Sequence, residues 1–135
     1  MHIDMIAAMP CNPSVGGPAK GIVVREIDAL GGEMGRAADA TALQFKMLNT
    51  TKGPGVQCLR VQSDKIAYKK YMQNVVLSTK NLKVREAIVE EVLIQDGKAV
   101  GIRLNTGETV LCRALIITSG TFMSSLVMVG HTATP

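Results

Sequence analysis

Residues 9 to 21, Met-Pro-Cys-Asn-Pro-Ser-Val-Gly-Gly-Pro-Ala-Lys-Gly, force the chain through a bend before any helix can begin. Gly16 and Gly17 tolerate backbone angles closed to other residues. Pro18 suits a first helical position with Gly17 as the cap before it. Val23, Val24, Ile27 and Leu30 then follow, and Gly31-Gly32 ends the run, which predicts a helix from about Ala19 to Leu30. A helix start exposes N–H groups and a partial positive charge, and Lys20 adds a full charge. The bend is expected to favour an anion, a phosphate or an electron-rich ring edge, and to raise the thiolate fraction of Cys11. A second reading is a Gly-rich turn around a buried structural cysteine, and spacing alone does not separate the two.

Length and composition narrow the classes. The 135 residues suit one domain or a piece of a larger one, and 47% apolar content supports a core. Aromatics are only 3%, with no Trp, which argues against a stacking platform for single strands. The formal charge of +4 is compatible with RNA without requiring it. Cys11, Cys58 and Cys112 lie far apart without CxxC spacing, so neither a metal site nor a disulfide framework is expected, and a reducing cytoplasm is. No apolar run reaches membrane-spanning length, and the N-terminus lacks a basic secretory signal.

Along the chain, residues 1 to 10 read as an extended lead-in, and residues 33 to 42 as a loop with a helical turn. Leu43, Phe45 and Met47 alternate on one face of a strand ending at Leu48. Asn49 to Gly55 is a turn, and Val56 to Val61 pairs back. Ser63 is expected to cap the next helix, with Asp64 in its first turn. Tyr68, Tyr71, Met72, Val75 and Val76 form the buried stripe of that helix, with Lys65, Lys69 and Lys70 off it. Beyond Asn81, Leu82-Lys-Val84 leads to Val89, and strands Glu91–Gln95, Lys98–Asn105 and Glu108–Cys112 are joined by Asp96-Gly97 and Thr106-Gly107, a small meander. Ala114-Leu-Ile-Ile-Thr118 reads as a strand buried on both faces, ending at Ser119-Gly120-Thr121.

A meander feeding a buried strand with a Thr-x-Gly turn resembles the FAD domains of flavoprotein disulfide reductases. More specific is an ordered set of segments: Cys11-Asn-Pro-Ser-Val-Gly-Gly17, Lys20-Gly21, Val24 to Gly32, Leu48-Asn49 with Lys52-Gly-Pro54, Arg60 to Lys65, and Ser119-Gly-Thr-Phe122. Together they resemble the glucose-inhibited division protein A (MnmG) family over nearly the whole chain. The resemblance implies an α/β fold, a partial FAD/NAD(P)-binding (glutathione-reductase-like) domain with an antiparallel β-meander over about 91–112.

For function, it implies an FAD-dependent enzyme that installs an aminomethyl or carboxymethylaminomethyl group at C5 of the tRNA wobble uridine. NADH serves as reductant and methylenetetrahydrofolate as one-carbon donor. The partners implied are tRNA, the GTPase MnmE and a second copy of the full-length protein. Cys11 falls on a family catalytic cysteine, whose role is attack on uracil or redox support. Asn12, Pro13, Gly16, Gly17 and Lys20 are expected near the flavin, Val89 as a backbone contact to FAD, and Thr118, Gly120 and Thr121 near the dinucleotide. Cys58 and Cys112 match no catalytic motif.

The sequence departs from such a domain: it contains no G-x-G-x-x-G, and the second family cysteine, the NAD-binding segment, the later flavin-binding motif and the helical C-terminal region that the resemblance implies are not in it. The chain is therefore expected to be a fragment of an FAD domain spanning 1–135, with weak or no FAD binding and no activity alone. Two other readings remain. One is the folate- and FAD-dependent tRNA uracil methyltransferase family, and the Cys-Asn-Pro loop favours the first family over it. The other is a non-catalytic basic RNA-binding or interaction module, supported by the net charge and the lysines from Lys65 to Lys70.

Overall fold

The computed structural model describes residues 2–9, 12–120, 123, 127–130 and 132–134. The chain divides into two compact units, Met1–Glu86 and Ala87–Pro135.

In the first unit a single 3-10 turn, Ile3–Met5, replaces the expected extended lead-in. Three strands follow, β1 (Ser14–Gly16), β2 (Ala42–Leu48) and β3 (Cys58–Ser63), in the order β1-β3-β2, each outer strand antiparallel to β3. Between β1 and β2 the chain makes two helices, α1 (Lys20–Ala29) and α2 (Met34–Ala40). Helix α2 is longer than the turn expected for this stretch. Periodicity missed it because it is held by small residues: Ala37 and Ala38 are buried, which lets its backbone lie close to its neighbours. Thr41 closes it by donating its hydroxyl to the Ala37 carbonyl at 2.7 Å.

Helix α3 (Lys65–Ser78) follows β3 directly. Its cap is Asp64, not Ser63. The Asp64 carboxylate accepts from the N–H groups of Ile66 and Ala67, both at 2.8 Å. Ser63 instead closes β3, and its buried hydroxyl has no hydrogen-bond partner among the described residues. The predicted α3 stripe holds where it matters: Tyr68 is buried, and Tyr71 and Met72 pack against the core of Val15, Ala37, Ala38, Val61 and Tyr68. Helix α1 differs from its expected stripe. Only Val24 packs on that core, and Leu30 is 90% exposed.

The second unit is the meander: β4 (Val89–Gln95), β5 (Lys98–Leu104) and β6 (Thr109–Leu111), all antiparallel. Asp96 and Gly97 both take positive φ, 50° and 73°, as a two-residue hairpin of right-handed twist requires. A two-stranded hairpin, β7 (Val127–Val129) and β8 (Thr132–Thr134), ends the chain. The segment from Ala114 to Thr118 forms no strand, contrary to the sequence reading, and Ile116 is 85% exposed. A strand buried on both faces needs partners along both edges, and among the described residues none pairs with it.

Candidate functional site

The glycine bend forms, but its hydrogen bonds differ from the expected anion cradle. Gly16 and Gly17 hold φ of 97° and 96°. A Cβ on Gly16 would collide with the carbonyl oxygen of Leu59, so only glycine lets β1 lie this close to β3. The N–H of Gly17 donates to that same Leu59 carbonyl at 2.9 Å. Pro18 and Ala19 then make a tight turn rather than the first helical residues. Ala19 is the cap, with φ of 60°, and the N–H of Lys20 donates to Pro18 at 2.7 Å. Gly21 donates back to Gly17 at 2.9 Å. Three N–H groups of the bend are therefore engaged within the chain, and the helix start is not the open anion site that the sequence suggested. Cys11 lies outside the described residues.

The more open polar feature is the other face of the same sheet. Strand side chains alternate between faces. Val15, Val61 and Leu59 point toward the helices, so Arg60 and Gln62 point away from them. Register places Ser14, Gln62 and Gln44 in one row across the sheet, and Gly16, Arg60 and Lys46 in the next. Leu48 and Cys58 form a third. Gly16 contributes no side chain, so its row is occupied by the two cations alone. A hollow of about 270 Å³ opens there, lined by Asn12, Gln44, Lys46, Leu48, Arg60 and Gln62. Among the described residues no carboxylate lines it. None of Gln44, Lys46, Arg60 and Gln62 has a side-chain hydrogen bond or ion pair with a described residue.

Sequence reasoning missed this face. The signal was present in the polar alternation of Gln44 and Lys46 and of Arg60 and Gln62 on two strands expected to pair. The apolar alternation of Leu43, Phe45 and Met47 drew the assignment instead. Those three residues are exposed; Phe45 and Met47 lie opposite Val61 and Leu59 on the helix-facing side, overhanging the core at the edge of the sheet.

Of the expected cofactor residues, Asn12, Pro13, Gly16, Gly17 and Lys20 lie in the first unit. Val89, Thr118 and Gly120 lie in the second and are exposed. Thr121 lies outside the described residues. A second cleft, of about 210 Å³, lies on the helix side and is lined by Val15, Gly21, Val24, Arg25 and Cys58 among others. Ligand pockets usually exceed about 300 Å³, and the sequence has no G-x-G-x-x-G. These residues alone do not fit a complete FAD. Among the described residues no helix is long and apolar enough to cross a membrane.

The family model for glucose inhibited division protein A matches residues 1–135. The chain is 55% identical over 131 residues to the Exiguobacterium sibiricum tRNA uridine 5-carboxymethylaminomethyl modification enzyme MnmG, covering 97% of this chain and 21% of that protein. It is 52% identical over 129 residues to the enzyme of the same name from Lactobacillus acidophilus, covering 96% and 20% respectively. It is also similar to the crystal structure of Aquifex aeolicus GidA, with a TM-score of 0.90 and 46% identity over 99% of this chain and 22% of that one. The chain thus spans about one fifth of the length of the curated relatives it matches.

Proposed function

The chain belongs to the glucose inhibited division protein A family, and we propose that it supplies part of the site at which such an enzyme modifies C5 of a tRNA wobble uridine. The observation that carries this reading is the match along the whole chain to enzymes named for that modification. The mechanism follows from the reactivity of uracil. Its C5 is a poor nucleophile until something adds at C6. A thiolate is nucleophilic near neutral pH, and Cys11 is the candidate. Addition forms an S–C6 bond and moves an electron pair to C5, which then attacks a one-carbon electrophile. Loss of the C5 proton and breaking of the C6–S bond return the thiol. Asn12 follows Cys11 in sequence and lines, with Gln44, Lys46, Arg60 and Gln62, a hollow that offers amide and cationic groups.

Family membership implies FAD, with NADH as reductant, for the redox chemistry of the full-length enzyme. Asn12, Pro13, Gly16, Gly17 and Lys20 are proposed to lie near its flavin ring, Val89 to contact it through backbone atoms at the adenine, and Thr118, Gly120 and Thr121 to lie near the dinucleotide. The described residues supply only part of a dinucleotide site. Methylenetetrahydrofolate, the GTPase MnmE, a homodimer and a cytoplasmic setting belong to the same proposal for the whole protein.

The test is a graft. Residues 1–135 replace the matching segment of the Exiguobacterium sibiricum enzyme in cells lacking their own. Mass spectrometry of tRNA nucleosides should show 5-carboxymethylaminomethyluridine restored by the graft and lost with Cys11→Ser. A soluble graft that restores nothing, or one indifferent to Cys11→Ser, contradicts the reading.

A further inference from the structure

We infer that the sheet face carrying Lys46 and Arg60 is a phosphate site for a pyrimidine nucleotide, with Gln44, Gln62 and Asn12 as the groups that read the base or sugar beside it. The choice of a pyrimidine rests on the function proposed above; the anion site rests on the sheet alone. Lys46 and Arg60 sit directly opposite each other on antiparallel strands. Side chains so placed are close neighbours, and like charges there destabilise a sheet. Among the described residues nothing relieves the repulsion: no carboxylate lines the hollow, and neither cation has an ion-pair partner. A sheet stabilised only by its own contacts gains nothing from this arrangement. A bound oxyanion reverses its sign, because one phosphate between two cations is attracted by both. Arg60 can grip it through two parallel N–H donors, and Lys46 adds a point charge.

Shape and neighbours narrow the ligand further. The volume of about 270 Å³ falls just under the ~300 Å³ at which ligand sites usually begin, which suits a mononucleotide portion rather than a dinucleotide. Gln44 and Gln62 stand side by side in the next row, each with a donor and an acceptor end. The imide edge of uracil presents the same alternation of carbonyl and N–H. Leu48 gives an apolar wall against which the ring rests.

Uridine 5′-monophosphate is the probe, titrated into the 135-residue chain and followed by side-chain and backbone NMR shifts. Shifts should centre on Gln44, Lys46, Arg60 and Gln62, and binding should weaken as salt rises. Uridine without phosphate, and acetate as a simple carboxylate, should each bind at least tenfold more weakly. Lys46→Glu should weaken binding at least tenfold while leaving the melting temperature equal or higher, because it replaces a like-charge pair by an opposite one. Lys46→Gln should show the same loss, so a folding failure of the glutamate variant does not decide the matter. Cys11→Ser should bind normally, which separates this site from the proposed chemistry. Unchanged binding by the Lys46 variants, uridine or acetate binding as well as the nucleotide, or shifts centred elsewhere would each overturn the inference.

Discussion

Two three-stranded antiparallel sheets of similar strand length behave differently in this chain. In β1-β3-β2 the helix-facing side is closed by α1, α2 and α3, so Val15 and Val61 are buried there. Its opposite side is left to polar side chains. In the unit of β4-β5-β6 the described residues form no helix; the apolar residues Val89, Ile94 and Leu111 are exposed, and Leu104 is the buried apolar side chain among those described. The first sheet is held by packing on one face, which leaves the other available for the binding inferred above. The second is held by its turns and ladder. Burial on one face supplies the rigidity that a binding face needs, because a ligand site is useful only on a scaffold whose strands keep their register.

Glycine substitutions should break the comparison most visibly. Gly16→Val places a side chain against the Leu59 carbonyl at positive φ, and should cost about 3 kcal/mol or more, seen as a lost or broadened melt. Gly97→Ala, also at positive φ but with open space around it, should cost only about 1–2 kcal/mol. Equal losses would contradict a packed first sheet and a turn-held second one.

A smaller contrast lies in the side chains. Tyr68 is 5% exposed, and Tyr68→Ala should destabilise by about 3–5 kcal/mol in denaturant unfolding. Ile116→Ala, at 85% exposure, should stay within about 0.5 kcal/mol. A large loss at Ile116 would place a core where the second unit shows none.

The smallest effect sharpens the first unit alone. Burial desolvates the Tyr68 phenol and raises its pKa above the usual 10.0. The folded state therefore keeps a proton that the unfolded chain releases. The stabilisation is complete below the unfolded value and fades as pH rises from there through the folded pKa. Tyr68→Phe should flatten this alkaline loss; an unchanged pH profile would mean that the phenol ionises freely.

The sequence was most legible where structure is local. Asp96-Gly97 declared its hairpin because the turn's backbone angles need those residues, and Gly31 stopped α1 in the expected left-handed conformation. Cap assignment slipped by one residue, since Ser63 and Asp64 both suit the role and only pairing with Pro13 and Thr41 decides between them. Helix α2 was hidden because alanine carries little periodic signal. The run from Ala114 to Thr118 was misread because apolar continuity reports a wish for burial, while strand formation depends on partners. The family came through from ordered motifs. The cationic face did not, because opposing Lys46 and Arg60 becomes visible only when register is known. The site residues expected around the glycine bend share one stretch of chain, and three of that bend's N–H groups are occupied by internal bonds that the sequence did not disclose.

The most direct measurement is the tRNA nucleoside content of cells whose sole enzyme is the Exiguobacterium sibiricum protein carrying residues 1–135, with and without Lys46→Glu. The account predicts restored 5-carboxymethylaminomethyluridine in the first case and at least a tenfold loss in the second, with both proteins equally soluble. Equal modification by the two would contradict it.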